Sequence, residues 1–122
     1  MNKQSGFTLI ELVMVIVILG VLAVTALPKF VDLKSDSQSA ALTGVAGSLT
    51  SAFAINYAAR SANSTKGVAV ANCNDAANVL QGGLPTGYSV NNVATAAGAS
   101  TTCQLTQTAT TNTASYTAIG IN

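Results

Sequence analysis

Histidine and tryptophan are absent from the 122 residues, cysteine occurs twice, and charge is scarce, with five Lys and Arg against four Asp and Glu for a net +1. Each shortage excludes something. Without histidine, and with only Glu11, Asp32, Asp36 and Asp75 as side-chain carboxylates, the chain lacks the usual general acid and base at neutral pH, and an enzyme is not expected. Two cysteines 30 positions apart, with no histidine and no acidic cluster beside them, do not make a zinc or calcium site, so no metal or cofactor is expected. The basic residues are scattered at 3, 29, 34, 60 and 66 and form no stripe that would neutralise phosphates, which leaves nucleic acid without compositional support as a partner. Aromatics are few as well: Phe7, Phe30, Phe53, Tyr57, Tyr88 and Tyr116 are spaced as packing residues and not as a stacked path.

What is abundant is aliphatic, and it is concentrated at one end. Phe7 to Leu27 is a 21-residue run with a single charge, Glu11, while the remainder is rich in Ala, Thr, Ser, Asn and Gly. At about 1.5 Å per residue the run makes a helix of about 31 Å, the thickness of a bilayer core. A secretory signal peptide would share the small residues at Ala23 to Ala26 and the lone Lys3. Its apolar region is normally about 7 to 15 residues, however, and this one is longer and acidic. A carboxylate within hydrocarbon costs about 2.5 to 3.5 kcal/mol and usually has a partner in the protein interior. Read by itself, Glu11 has no partner in its own helix. Two readings answer its need: snorkelling to the headgroups from near the helix end, or pairing with a cation on another chain.

Gly6-Phe7-Thr8-Leu9-Ile10-Glu11 resembles the type IV prepilin motif, and the continuation VLAVTALPKFVDLKSDSQSAAL looks most like the mannose-sensitive haemagglutinin class of type IVa pilins. The resemblance extends from Gly6 to about Ala41. It implies that residues 1–6 are a leader, cut between Gly6 and Phe7 by a membrane-bound prepilin peptidase that also N-methylates Phe7. It implies that Glu11 acts in subunit docking, answering the new Phe7 amine of a neighbour. It also implies that the stretch from Gly20 to Pro28 can melt in an assembled filament. Proline lacks the N–H and crowds the carbonyl four residues back, and glycine weakens a helix, so a break or kink across Gly20 and Pro28 is expected on physical grounds too.

Beyond Pro28, Leu42, Val45, Ala46, Leu49, Ala52, Phe53 and Tyr57 recur at three- and four-residue steps, which predicts an amphipathic helix over 28–60 with Ser, Thr, Gly and Asn on its other face. Joined to the segment over 7–27, it would make one helix of about 80 Å if unbroken, whose first half projects and whose second half seats a head. The turn-forming SANSTKG closes it. Over 61–122, alternating runs at Val68 to Ala71, Tyr88 to Val93, Thr102 to Gln107 and Tyr116 to Ile121 predict an antiparallel sheet of three or four strands, with a loop between helix and sheet that holds Cys73, giving an α+β fold. A head this poor in large aliphatics gains from a staple. In an exported protein Cys73 and Cys103 are expected to pair, two separate buried thiols being the alternative. Asn63-Ser64-Thr65 matches the glycosylation triplet, which a solvated polar turn explains equally well.

The reading these features support is a major subunit of an extracellular type IV pilus. It would be a homopolymer held in the inner membrane before assembly by the pilus machinery, serving adhesion, biofilm formation and motility. The alternatives are a type II secretion pseudopilin, whose major form resembles this chain but carries an acidic calcium site that is missing after Asp75, and a minor or competence pilin that binds DNA or a surface receptor.

Overall fold

The computed structural model describes residues 3–122. Its first element is a single long helix, α1, Leu9–Ala62. Thr8 precedes it as N-cap, its carbonyl accepting the first intrahelical bond from the Leu12 N–H at 3.2 Å. At the other end Asn63, with its Oδ1 accepting from the Thr65 N–H (3.0 Å) and hydroxyl (2.8 Å), turns the chain out of the helix. The break expected across Gly20 and Pro28 is not present: both residues lie inside α1 and the helical assignment runs through them. Pro28 has no N–H to give the Val24 carbonyl, yet the helix continues beyond it, and a β-carbon at Gly20 would meet nothing within 4 Å.

The chain divides into two compact units at Ser37 and Gln38. In the first, the side chains of Phe7 and of every Leu, Ile, Val and Met from Leu9 to Leu33 are exposed, Phe7 by 92 %. In the second, α1 turns one stripe inward. Leu42, Ala46, Leu49, Phe53 and Asn56, stepping by four, three, four and three, are its buried residues.

This stripe lies against a three-stranded antiparallel sheet, β1 Tyr88–Val90, β2 Ser100–Gln107 and β3 Thr113–Ile119, in the order β1-β2-β3. Cys103 stands opposite Tyr116, and Val90 opposite Leu105. Alternation sends Cys103, Leu105, Tyr116 and Ala118 inward, and the Phe53 and Tyr116 rings stack with centroids 5.9 Å apart. Between helix and sheet, a 3-10 turn, Cys73–Asp75, leads into the one-turn helix α2, Ala76–Val79, in a stretch read from sequence as loop. Asp75 holds this turn by accepting the Ala71 and Asn72 N–H groups at 2.8 and 2.9 Å. Cys73 is bonded to Cys103, tying it to the centre of β2, and the buried Tyr116 hydroxyl donates to the Cys73 carbonyl at 2.9 Å.

The run at Val68 to Ala71 forms no strand; Val70 makes an isolated bridge to Ile121, and the Ala71 carbonyl accepts the Thr95 N–H at 2.7 Å beside the bridge of Asn72 to Ala94. The reason lies on α1. Asn56, expected on the polar face, is buried and takes both backbone groups of Val68: its Nδ2 donates to the Val68 carbonyl at 2.9 Å and its Oδ1 accepts the Val68 N–H at 2.8 Å. A residue whose donor and acceptor are both occupied by a helix side chain cannot also serve a sheet. The predicted strand at Tyr88 to Val93 is likewise cut short after Val90, where the Asn91 side chain replaces a ladder group by accepting the Gln104 N–H at 2.9 Å.

Candidate functional site

The sequence concentrates its unusual chemistry at the start of α1. Thr8 and Glu11 are N-cap and third residue of the helix, and they satisfy each other: the Thr8 N–H donates to Glu11 Oε2 at 2.8 Å, and the Glu11 N–H donates to Thr8 Oγ1 at 3.3 Å. This is a capping box, in which two backbone donors left over at a helix start are closed by the two side chains. It corrects the reading that Glu11 lacks a partner in its own helix. The carboxylate is anchored within its own chain through one oxygen, next to the positive end of the helix dipole, where an acid is favoured. The signal was in the sequence, because Thr-x-x-Glu ahead of an apolar run is the written form of the box.

Around this box the neighbours are small and open. Ser5, Gly6, Phe7 and Glu11 line a shallow recess of about 330 Å³. Gly6 is not demanded by the fold: a β-carbon there would touch nothing within 4 Å, and its φ is not in the left-handed region. Glycine at this position therefore answers no steric need within the chain. Glu11 Oε1 receives no hydrogen bond among the described residues, so the site retains one free acceptor beside the exposed Phe7.

The remaining candidate residues lie elsewhere. Gly20 and Pro28 follow along α1, Asn63 sits exposed in the turn after it, and Cys73 and Cys103 form the disulfide of the second unit. Two residues that sequence reasoning passed over carry structural weight: Thr8, as the cap, and Asn56, as the anchor of Val68. The second could not be found by pattern alone, since an Asn on an apolar stripe looks like an interruption until its partners are known.

α1 is the one helix among the described residues long and apolar enough to cross a membrane, and the qualifying window is wholly exposed in the isolated chain. A family profile described as the prokaryotic N-terminal methylation motif matches residues 1–27. Among known proteins the chain is similar to the type IV narrow pilus major component PilA5 of Thermus thermophilus, 47% identical over 53 residues that make up 43% of this chain and 46% of that protein. It is similar to the type IV major alpha-pilin of Moraxella bovis, 54% identical over 44 residues (36% of this chain, 28% of that one). A fimbrial protein of Moraxella nonliquefaciens is 43% identical over 56 residues, 46% of this chain and 36% of that protein. The chain thus spans less than half the length of the relatives it matches. No solved structure matches it.

Proposed function

We propose that the chain is the major subunit of a type IV pilus, of the mannose-sensitive haemagglutinin class within type IVa. The observation that carries this reading is the methylation motif over residues 1–27, whose apolar helical part from Leu9 to Leu27 leaves every Leu, Ile, Val and Met side chain exposed. A surface of that kind requires either lipid or other copies of itself. A Leu, Ile or Val that passes from exposed to fully buried contributes about 1.5 to 3 kcal/mol. The dozen and more exposed aliphatics of the first unit thus supply ample drive for helix packing. In this reading prepilin peptidase cuts between Gly6 and Phe7 and methylates the Phe7 amine. That amine lies at a helix N-terminus, where a cation is disfavoured, and the free Oε1 of a neighbour's Glu11 compensates it while Oε2 keeps the cap on Thr8. The open space around Gly6 fits a glycine retained for the peptidase and not for folding.

Before assembly the subunit resides in the inner membrane; afterwards it belongs to an extracellular homopolymer that supports adhesion and biofilm formation. The unbroken helix across Gly20 and Pro28 is then the form of the isolated chain, with the missing hydrogen bond at Pro28 marking where it would melt under packing. The test is the mass of the protein in material sheared from the cell surface. A chain beginning at N-methylated Phe7 supports the proposal. A chain beginning near Pro28 would make the apolar run a signal peptide and end it.

A further inference from the structure

Between Glu11 and Arg60 the chain carries four charged side chains, and all of them fall within eight consecutive residues: Lys29, Asp32, Lys34 and Asp36. They lie on α1 within the first unit, just beyond the apolar run, and all four are exposed. Side-chain hydrogen bonds flank the stretch, from Thr25 to the Leu22 carbonyl before it and from Thr43 to the Ser39 carbonyl after it; among the described residues none of the four takes part in one or in an ion pair. Helical spacing sorts them by side. At about 100° per residue, Lys29, Asp32 and Asp36 fall within about 60° of one another, while Lys34 stands about 140° to 160° away from each of them. One side of the helix is therefore net acidic and the other basic. Asp32 and Asp36 are also four residues apart on the same side, a like-charge spacing that an isolated helix disfavours. Lys29 lies one turn before Asp32 and can relieve that residue, but Asp36 has no cation within a turn on its own side.

We propose that this charged belt docks a second copy of the chain, with Lys34 of one α1 set between Asp32 and Asp36 of a parallel neighbour. The heights along the helix agree with this. Asp32, Lys34 and Asp36 lie about 4.5, 7.5 and 10.5 Å beyond Lys29, so Lys34 is level with the midpoint of the two carboxylates. Parallel copies at nearly equal height thus bring one ammonium between two carboxylates. Slid by one turn, about 5.4 Å, toward the N-terminus, Lys34 would come between the neighbour's Asp32 and its Lys29, and like charges would meet; slid the other way, it would leave Asp32 behind. The belt therefore selects one register. It also uses different sides of the two copies, so each added copy presents a fresh side to the next and the contact can repeat. Exposed ion pairs are individually weak, and the exposed Leu27, Phe30, Val31 and Leu33 around them supply the apolar drive, while the charges decide which sides meet and at what height. The inference rests on the pilus reading for the parallel packing, and adds to it the register and the pairing of sides.

The experiment has two arms. In the first, full-length chains, half of them labelled with heavy nitrogen, are reconstituted densely in phosphatidylcholine vesicles and treated with a water-soluble carbodiimide, which joins an amine to a carboxylate only where the two touch. Mass spectrometry of the digest should find Lys34 of one isotope joined to Asp32 or Asp36 of the other, and these links should fade at about 1 M salt. In the second arm, cells express Lys34→Glu, or Asp32→Lys with Asp36→Lys. Each variant sets like charges face to face and should lower the filament yield of the sheared surface fraction about tenfold, with unchanged subunit level in the membrane and unchanged melting temperature. Expressed together, the two variants are complementary to each other and should recover the yield. Absence of links between isotopes, full yield from either variant alone, or no recovery on co-expression each overturns the inference. So does loss of the variants from the membrane fraction, which would assign the belt to lipid headgroups. The pilus reading fails separately: links between isotopes with no wild-type filaments in the sheared fraction would end it and leave the contact standing.

Discussion

Asn56 offers the most direct test of how the second unit is held together. It is 7 % exposed and grips Val68 by both backbone groups, so it fixes the segment that leaves α1 and begins the approach to the sheet. Asn56→Leu keeps the branched shape and removes both bonds, leaving a partly buried N–H and C=O unpaired. With about 1 to 3 kcal/mol for each group stranded, offset by the gain from burying leucine, the expected loss is about 2 to 4 kcal/mol. For a unit of this size that is a fall of about 10 to 20 °C in the melting temperature. Asn56→Asp sharpens the argument. Its carboxylate still accepts the Val68 N–H but faces the Val68 carbonyl, a second acceptor, so the folded state favours the protonated acid and raises its pKa above the unfolded value. The sign follows: the variant is close to wild type at pH below the unfolded carboxyl value and loses stability as pH rises through the raised one. Gly67 supplies a cross-check. A β-carbon there would lie 2.5 Å from Asn56 Oδ1, with φ at +67°. Gly67→Ala should therefore cost less in the Asn56→Ala background than in the wild type. The assay is denaturation of full-length protein in detergent followed by near-ultraviolet circular dichroism. If Asn56→Leu melts within about 2 °C of wild type and Asn56→Asp shows no pH dependence, the assignment of Asn56 as an anchor is wrong.

Replacing Cys73 and Cys103 together by serine opens a loop of about 31 residues and should lower stability by about 3 to 4 kcal/mol on the loop-entropy account; an equal chemical midpoint with and without reductant would contradict it. Burial pushes the Tyr116 hydroxyl up to about 12 from its ordinary value near 10. Because the folded state disfavours the phenolate, that contribution is fully present below pH 10 and is lost as pH rises from about 10 to about 12, so wild type should show an alkaline unfolding limb in this window that Tyr116→Phe lacks. At neutral pH the same variant should cost about 1 to 2 kcal/mol for the lost bond to the Cys73 carbonyl, measured by urea denaturation. Thr111 is the one described non-glycine residue with positive φ, at 58°, in the turn between β2 and β3. Thr111→Asn should raise stability by about 0.5 to 1 kcal/mol, since a β-branched residue pays most for this conformation; a loss would show that the threonine side chain contributes more than its strain costs.

How far the sequence could be read depended on whether a signal was local or shared between distant residues. The stripe Leu42, Ala46, Leu49 and Phe53 is periodic within one helix and was legible, as was the α+β plan, since alternation in Thr102 to Gln107 needs no knowledge of a partner strand. The fourth strand failed because its competitor, Asn56, lies 12 residues upstream on another element, and propensity at Val68 to Ala71 contains no trace of it. Pro28 misled in the opposite direction. A proline withdraws one bond from a ladder of more than fifty residues, and whether the ladder closes over that gap is decided by what surrounds the helix. The same dependence applies to Glu11. Its cost was reckoned against lipid, but the first group within reach is the Thr8 N–H of its own chain, and under the proposed function this changes what assembly would ask of it. A carboxylate already held by one oxygen arrives oriented, with its second oxygen free, so pairing with an amine on another copy would order one partner and not two. Thr8→Pro removes the N–H but keeps Glu11, and so separates the two roles: if orientation by the cap matters, this variant should be cut less or assembled less than Thr8→Ala, which retains the N–H. If the two behave alike, the cap is a folding device only.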